Sequence, residues 1–313
     1  MEEWTKTAED MMKAGTLFVL LTGGEPLLYP HFRELYQKLR ELGMIITINT
    51  NGTLIDEAWA DFFAENKPRR INITLYGASN ETYERLCHYP GGFDKAVNGI
   101  RLLRERNIDV KVNGSLAKAN VDDRMKIIEL GESLDAPVRI DTYMYPSVRE
   151  RNHAYNNQAR LDPEMAAKAR VEILRREMGE EVFAQYRKIR LDEAENTPEG
   201  EAVPGQMACR AGKSSFVVNW QGEMRSCVVL DKPSIPLRDV EFEKAWELTK
   251  KETESLRISA RCSSCKLRKV CNTCVAAAIA ETGKADGVPE YLCRYTEATV
   301  RYLKETMEEI VMK

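Results

Sequence analysis

Seven of the eight cysteines fall between Cys209 and Cys293, at spacings that suit metal ligation. Twelve residues separate Cys209 from Gly222 and four separate Gly222 from Cys227; Cys262-x2-Cys265-x5-Cys271-x2-Cys274 and a final Cys293 follow. Two CxxC pairs can supply a tetrahedral zinc site, two thiolates from each of two tight turns. A single zinc would leave three thiolates unused, and five residues is a short gap between the pairs of a zinc ribbon. Seven thiolates divide more naturally into one four-cysteine and one three-cysteine iron-sulfur site. Zinc stays as the alternative. Cys87 stands apart, after a helical stretch and before Pro90-Gly91-Gly92, and reads as a structural cysteine.

A second group of chemically able residues follows short apolar runs. Gly23-Gly24-Glu25-Pro26 comes after Leu17 to Leu21, and Asn49-Thr50-Asn51-Gly52, Tyr76-Gly77 and Asn113-Gly114 follow later runs. Glycines let a backbone approach a ligand closely, and Glu25 brings a carboxylate. The three histidines, His31, His88 and His153, have no partner motif and read as surface or packed imidazoles.

The elements that must position these groups alternate. A helix is expected over Glu2 to Lys13, and Phe32, Leu35, Leu39 and Leu42 recur at helical spacing until Gly43. Strands are expected at 17 to 21, 44 to 49, 70 to 75, 109 to 113 and 138 to 143, with helices at 56 to 65, 80 to 106 and 122 to 134. Strands separated by helices imply parallel β-α units, in an open sheet or a barrel, with function at the strand C-termini. Residues 1–150 form this domain, 151–206 a charged helical connector, and 207–313 a cysteine-rich domain ending in an amphipathic helix from about Tyr295.

The chain has 46 basic and 49 acidic residues, 43% apolar residues and a formal charge of −3, so no strong field favours nucleic acid or an anionic membrane. No run approaches the roughly 20 apolar residues of a membrane span, and the start lacks a signal-peptide pattern. The expected location is the cytoplasm, a reducing compartment that disfavours disulfides.

Gly-Gly-Glu-Pro, Asn-Thr-Asn-Gly and the C-terminal cysteines together resemble the radical S-adenosylmethionine superfamily, in its SPASM-domain, peptide-modifying branch. The resemblance covers nearly the whole chain. It implies a partial (β/α)6 barrel followed by a small cysteine-rich SPASM domain. Gly23, Gly24, Glu25 and Pro26 would follow the second strand and bind the methionyl amino group of S-adenosylmethionine, with Asn51 a further cofactor residue. Thr74, in Thr74-Leu75-Tyr76-Gly77, matches a hydroxyl residue that helps hold the methionyl carboxylate; Tyr76 replaces the family's usual aspartate. Cys262, Cys265, Cys271 and Cys293 would hold one auxiliary [4Fe-4S] cluster. Cys209, Cys227 and Cys274 would hold the other, with an iron left for a different ligand. Two residues separate Cys271 from Cys274 where the family has three. Val228 replaces the aspartate of sulfatase-maturing relatives, which argues against formylglycine formation.

The family's Cys-x3-Cys-x2-Cys loop is absent from these 313 residues. Met1 falls where the helix after that loop would stand, so the sequence is expected to be an N-terminally shortened form lacking the first strand, rather than a paralogue that lost the radical step. An apolar edge left without its neighbour is a liability that favours shortening. The 313 residues alone are then expected not to cleave S-adenosylmethionine, and 5'-deoxyadenosine formation by the reduced, reconstituted chain would refute that. The resemblance implies hydrogen abstraction from a peptide or protein by a 5'-deoxyadenosyl radical, with a reductant such as flavodoxin or ferredoxin. The alternatives are a non-catalytic iron-sulfur electron-transfer or peptide-binding protein, and a zinc-binding protein.

Overall fold

The structure, a computed structural model, describes residues 1–145 and 159–311. His153 and the expected domain boundary at 150 lie outside the described residues. The chain divides into two compact units, Met1–Asp141 and Thr142–Lys313.

The first unit alternates helices and strands in chain order: α1 (Glu2–Lys13), β1 (Phe18–Leu21), α2 (Phe32–Glu41), β2 (Ile45–Thr50), α3 (Glu57–Glu65), β3 (Arg70–Leu75), α4 (Asn80–Cys87), α5 (Gly92–Glu105), β4 (Val110–Ser115), α6 (Arg124–Ser133) and β5 (Val138–Asp141). Local chemistry sets these boundaries. In α2, Phe32, Leu35, Tyr36 and Leu39 are buried at helical spacing, and Asp56 caps α3 by accepting from the Trp59 N–H at 2.9 Å. The helix expected over 80 to 106 is broken. His88 and Gly91 adopt left-handed φ of 53° and 73°, and Pro90 between them has no N–H to give a helix. The strand expected to reach Tyr143 ends at Asp141.

All five strands are parallel, in the order β1-β2-β3-β4-β5. A doubly wound sheet reverses its order at a switch point, whereas a barrel adds each strand beside the last. The sequential order therefore resolves the open sheet-or-barrel alternative in favour of a barrel arc, as the partial-barrel expectation requires.

The two faces of this arc differ. Ile46, Ile48, Ile71, Ile73, Leu75, Val110, Val112 and Ile140 are at most 2% exposed and form the face on which the helices pack. Their alternating neighbours form polar rows across the strands: Asn49, Asn72 and Lys111 stand in one register, and Thr74, Asn113 and Arg139 in the next. Strands buried on both faces would read as continuous apolar runs. Period-two alternation in a parallel sheet means instead that one face is kept for polar contacts.

The second unit contains α7 (Pro163–Asn196), β6 (Gly205–Gln206), β7 (Val217–Val218), β8 (Glu223–Arg225), β9 (Ser234–Pro236), α8 (Phe242–Ser255), β10 (Arg257–Ile258), α9 (Ala260–Ser264), α10 (Val275–Thr282) and α11 (Glu290–Val311). Gly179, at φ 71°, interrupts α7. The segment expected to serve as a connector has a core of its own: Val171, Leu174, Phe183 and Leu191 bury together with Leu303 of α11. The last helix begins at Glu290, five residues earlier than expected, because the Pro289 carbonyl accepts from the N–H groups of Leu292 and Cys293 and starts the turn. Cys293 therefore lies on a helix. Among the described residues no helix is long and apolar enough to cross a membrane.

Candidate functional site

In the first unit the strand ends meet through Glu25. Its Oε1 accepts from the Leu27 N–H at 3.1 Å and the Thr50 hydroxyl at 2.7 Å, and its Oε2 accepts from the Asn51 N–H at 2.7 Å. The carboxylate thus joins the end of β1 to the end of β2. An ionised carboxylate offers about four lone-pair sites. Among the described residues three are occupied, which leaves one on Oε2.

The neighbours of Glu25 are arranged to hold it. Thr50 is 4% exposed, and its oxygen also accepts from the Gly52 N–H at 3.1 Å. Asn51 Oδ1 accepts from both the N–H and the hydroxyl of Thr53. Gly52 has φ 74°, and a Cβ there would come within 2.8 Å of Ile73, so only glycine fits this turn. Gly24 contrasts with it: a Cβ would meet nothing within 4 Å, so packing does not explain its missing side chain. Gly23 and Gly24 are exposed, while Pro26 is buried at the start of a short 3-10 turn. Thr74 is half-buried on the polar face beside Asn113, and Asn72 donates to Asn49 Oδ1 at 2.7 Å one row below.

The arrangement therefore gathers Gly23, Gly24, Glu25, Pro26 and Asn51 directly, with Thr74 on the adjoining polar row. Thr50 was not singled out as a site residue. Its signal was its place inside Asn49-Thr50-Asn51-Gly52, but its role depends on β1 and β2 being neighbours. Tyr76 is fixed by its backbone: its N–H donates to the Tyr83 hydroxyl and its carbonyl accepts from Asn120.

In the second unit all seven cysteines carry free thiols. Cys262 lies within electrostatic reach of Cys265, Cys271 and Cys293, and Cys293 also of Cys271. Burial pushes the Cys262 thiol up, and the neighbouring Cys271 and Cys265 add to the shift. The Cys293 thiol is pushed up to about 11 by burial, then by Glu290, Cys271 and Cys262. Groups that oppose one another's ionisation are the kind that a cationic centre would bring together.

The other three group differently. Cys227 and Cys274 pack on the same buried cluster, which includes Met207, Ala211 and Val275, and Cys209 lies in the chain between Met207 and Ala211. Gly222, at φ 76°, turns β7 into β8 and delivers Cys227 two residues beyond it.

Three of the thiols also accept backbone hydrogen bonds: Cys227 from Val229 at 3.4 Å, Cys265 from Leu267 at 3.3 Å, and Cys274 from Ala277 at 3.4 Å, as the cap of α10. Such donors favour a thiolate and are among the features that tune iron-sulfur clusters. Among the described residues, no three His, Cys, Asp or Glu side chains are drawn together around a single-metal position. Burial pushes the Cys87 thiol of the first unit up, as suits an inert cysteine. His31 pairs with Glu34 at 3.1 Å on the surface, and His88 ends α4.

A buried ion pair ties α10 to α11. Arg160 donates to both oxygens of Glu281, at 3.1 and 2.5 Å, and the Tyr143 hydroxyl donates to the same carboxylate at 2.9 Å. The Arg160 guanidinium stands 3.4 Å over the ring of Tyr291, whose hydroxyl burial pushes up to about 12. Glu281 is on α10, which starts at Cys274, and Tyr291 is on α11, which carries Cys293.

Residues 1–131 match the profile of the Radical SAM superfamily. The AdoMet-dependent heme synthase of Methanosarcina barkeri (strain Fusaro / DSM 804) is 24% identical over 288 residues, covering 88% of this chain and 82% of that protein. The PqqA peptide cyclase of Rhodopseudomonas palustris (strain ATCC BAA-98 / CGA009) is 26% identical over 165 residues, covering 53% of this chain and 43% of the relative. Native anSMEcpe, solved with bound AdoMet and Kp18Cys peptide, has a similar fold, with TM-score 0.71, 19% identity, and coverage of 99% of this chain and 90% of that one.

Proposed function

We propose that this chain, whose residues 1–131 match the Radical SAM superfamily, acts in the modification of a peptide or protein substrate. S-adenosylmethionine would sit at Gly23, Gly24, Glu25, Pro26, Asn51 and Thr74. The seven cysteines would hold two auxiliary [4Fe-4S] clusters, four thiolates on one and three on the other. Together with the family's reducing cluster, whose Cys-x3-Cys-x2-Cys ligands are not among these 313 residues, bound S-adenosylmethionine would supply a 5'-deoxyadenosyl radical able to abstract hydrogen, chemistry that belongs to the cofactor.

The residues of this chain bind and orient. The observation that carries the reading is the Glu25 carboxylate, pinned by three neutral donors at the strand ends with one lone-pair site on Oε2 left over. An ammonium group suits that site, since a charge-assisted bond to a carboxylate is shorter and stronger than a neutral one. Gly23 and Gly24 leave room beside it, and the Thr74 hydroxyl offers a donor on the same face.

The peptide class rests on the fold shared with peptide-bound anSMEcpe and on the likeness to PqqA peptide cyclase. The heme synthase likeness, which spans more of the chain, favours a tetrapyrrole substrate as a second reading. Equilibrium dialysis of the anaerobically reconstituted chain tests the cofactor site, because it reads binding rather than turnover. S-adenosylmethionine should bind, with affinity at least tenfold weaker in Glu25→Gln. Equal binding by both proteins, or none by the wild type, would contradict the site. Titration with a cysteine-containing peptide and with an iron porphyrin then separates the two substrate classes.

A further inference from the structure

The second unit contains a cavity of about 60 Å³ between α7, α11 and the loop that follows Cys271. Arg170 and Arg190 of α7 both line it. They lie twenty positions apart, which is about 30 Å along an unbroken helix at 1.5 Å per residue. A cavity this small cannot span that distance, so α7 folds back between them. Gly179 makes the turn, with φ 71° and ψ 165°, a conformation that side chains with a Cβ rarely adopt. The turn sets two guanidinium groups on one cavity, beside Thr296 and Thr299 of α11.

Thr296 is the informative residue. It is 4% exposed, and its hydroxyl has no hydrogen-bond partner among the described residues. Other helical threonines of this unit bond the carbonyl one turn back: Thr299 that of Tyr295 at 2.7 Å, and Thr253 that of Thr249 at 2.6 Å. Nor is the Thr296 hydroxyl sealed within protein, as the unpartnered hydroxyl of Thr249 is, so it opens on the cavity it lines. A buried hydroxyl left unbonded costs stability that an accepting ligand restores.

Two further lining groups have donors to spare. Arg190 spends three of its five N–H groups on Glu193 and the carbonyls of Lys269 and Val270, which fixes the guanidinium and leaves two. Tyr186 stacks on Phe183 with ring centroids 6.5 Å apart, and its hydroxyl is unbonded among the described residues. No acidic side chain of the described residues lines the cavity.

We propose that this cavity is a binding site for a small oxyanion, a phosphate or carboxylate group. The lining offers donors and positive charge, and the planar guanidinium fork matches both kinds of group. A single water needs about 10–15 Å³ of such space, so the cavity suits one group of that size and not a whole nucleotide or tetrapyrrole. The site is built wholly from residues of the second unit and needs no metal.

Thermal unfolding of the anaerobically reconstituted full chain, with rising inorganic phosphate and separately with acetate at constant ionic strength, tests this. A ligand that binds only the folded protein raises its melting temperature in proportion to occupancy. The wild type should show a rise that phosphate or acetate produces and chloride does not. Thr296→Val should need at least tenfold more of the same anion for an equal rise, and Arg170→Gln likewise. Without anion, Thr296→Val should melt at or above the wild-type temperature, because it removes an unbonded hydroxyl and keeps the shape. A response to phosphate alone makes the site a phosphate site, and one to acetate alone a carboxylate site. A wild type that responds to neither anion beyond chloride overturns the site. So does a Thr296→Val protein that responds as the wild type does, or one that melts lower without anion, since its hydroxyl would then be serving the fold.

Discussion

Each unit is organised around a carboxylate that ties two elements together, but the two carboxylates are satisfied differently. Glu25 joins the ends of β1 and β2 and accepts only from neutral donors, two N–H groups and one hydroxyl. Glu281 joins α10 to α11 through Arg160 and is already matched by a full positive charge. A carboxylate held by neutral donors keeps its charge available to a cationic ligand; one closed by a guanidinium does not. Glu25 is thus suited to binding and Glu281 to holding α10 to α11.

Arg160→Met should break the second unit most severely. The side chains of Arg160 and Glu281 are 5% and 13% exposed, and removing one partner strands the other charge in the interior. Loss of a buried partner costs about 3–5 kcal/mol. Urea unfolding should show a loss of that order, and iron uptake should fall with it. An unchanged midpoint would mean that the pair is not what joins α10 to α11.

Glu25→Ala should cost less, about 2–3 kcal/mol, because it strands neutral donors in part-buried bonds rather than a charge. Glu25→Gln should cost only about 1 kcal/mol, keeping most of the geometry while removing the charge. The comparison predicts a split. Glu25→Gln loses S-adenosylmethionine affinity with little stability, and Glu281→Gln loses stability with little S-adenosylmethionine affinity. Parallel losses in both variants would erase the distinction.

Much of this contrast was open to sequence reasoning and part of it was not. The strands were legible because Ile, Val and Leu alternate with polar residues, and the seven cysteines stood out by their spacing. Thr50 escaped because its partner lies 25 residues away, across a parallel pair whose adjacency no local pattern states. The break at 88–91 was hidden by helical periodicity on both sides, although Pro90-Gly91-Gly92 marked it. The Arg160–Glu281 pair, 121 residues apart, has no periodic or motif signature at all.

A smaller effect concerns Glu223, next to the turn that delivers Cys227. Hydrogen bonds from Ser234, Arg225 and Asn219 hold its carboxyl down at about 2. Unfolded, such a group titrates near 4.3. Its stabilisation is therefore complete above about pH 4.3 and is lost as pH falls from there toward 2. Acid unfolding of Glu223→Gln should accordingly be shallower than that of the wild type over this window, with a difference of about 1 kcal/mol at neutral pH.

The central claim is that the seven cysteines from Cys209 to Cys293 hold two clusters in sets of four and three, and metal and sulfide analysis of the anaerobically reconstituted chain tests it most directly. The wild type should contain about eight irons and eight acid-labile sulfides, and replacing Cys262 and Cys265 by serine should remove about four of each. One or two zinc ions with no iron would contradict it.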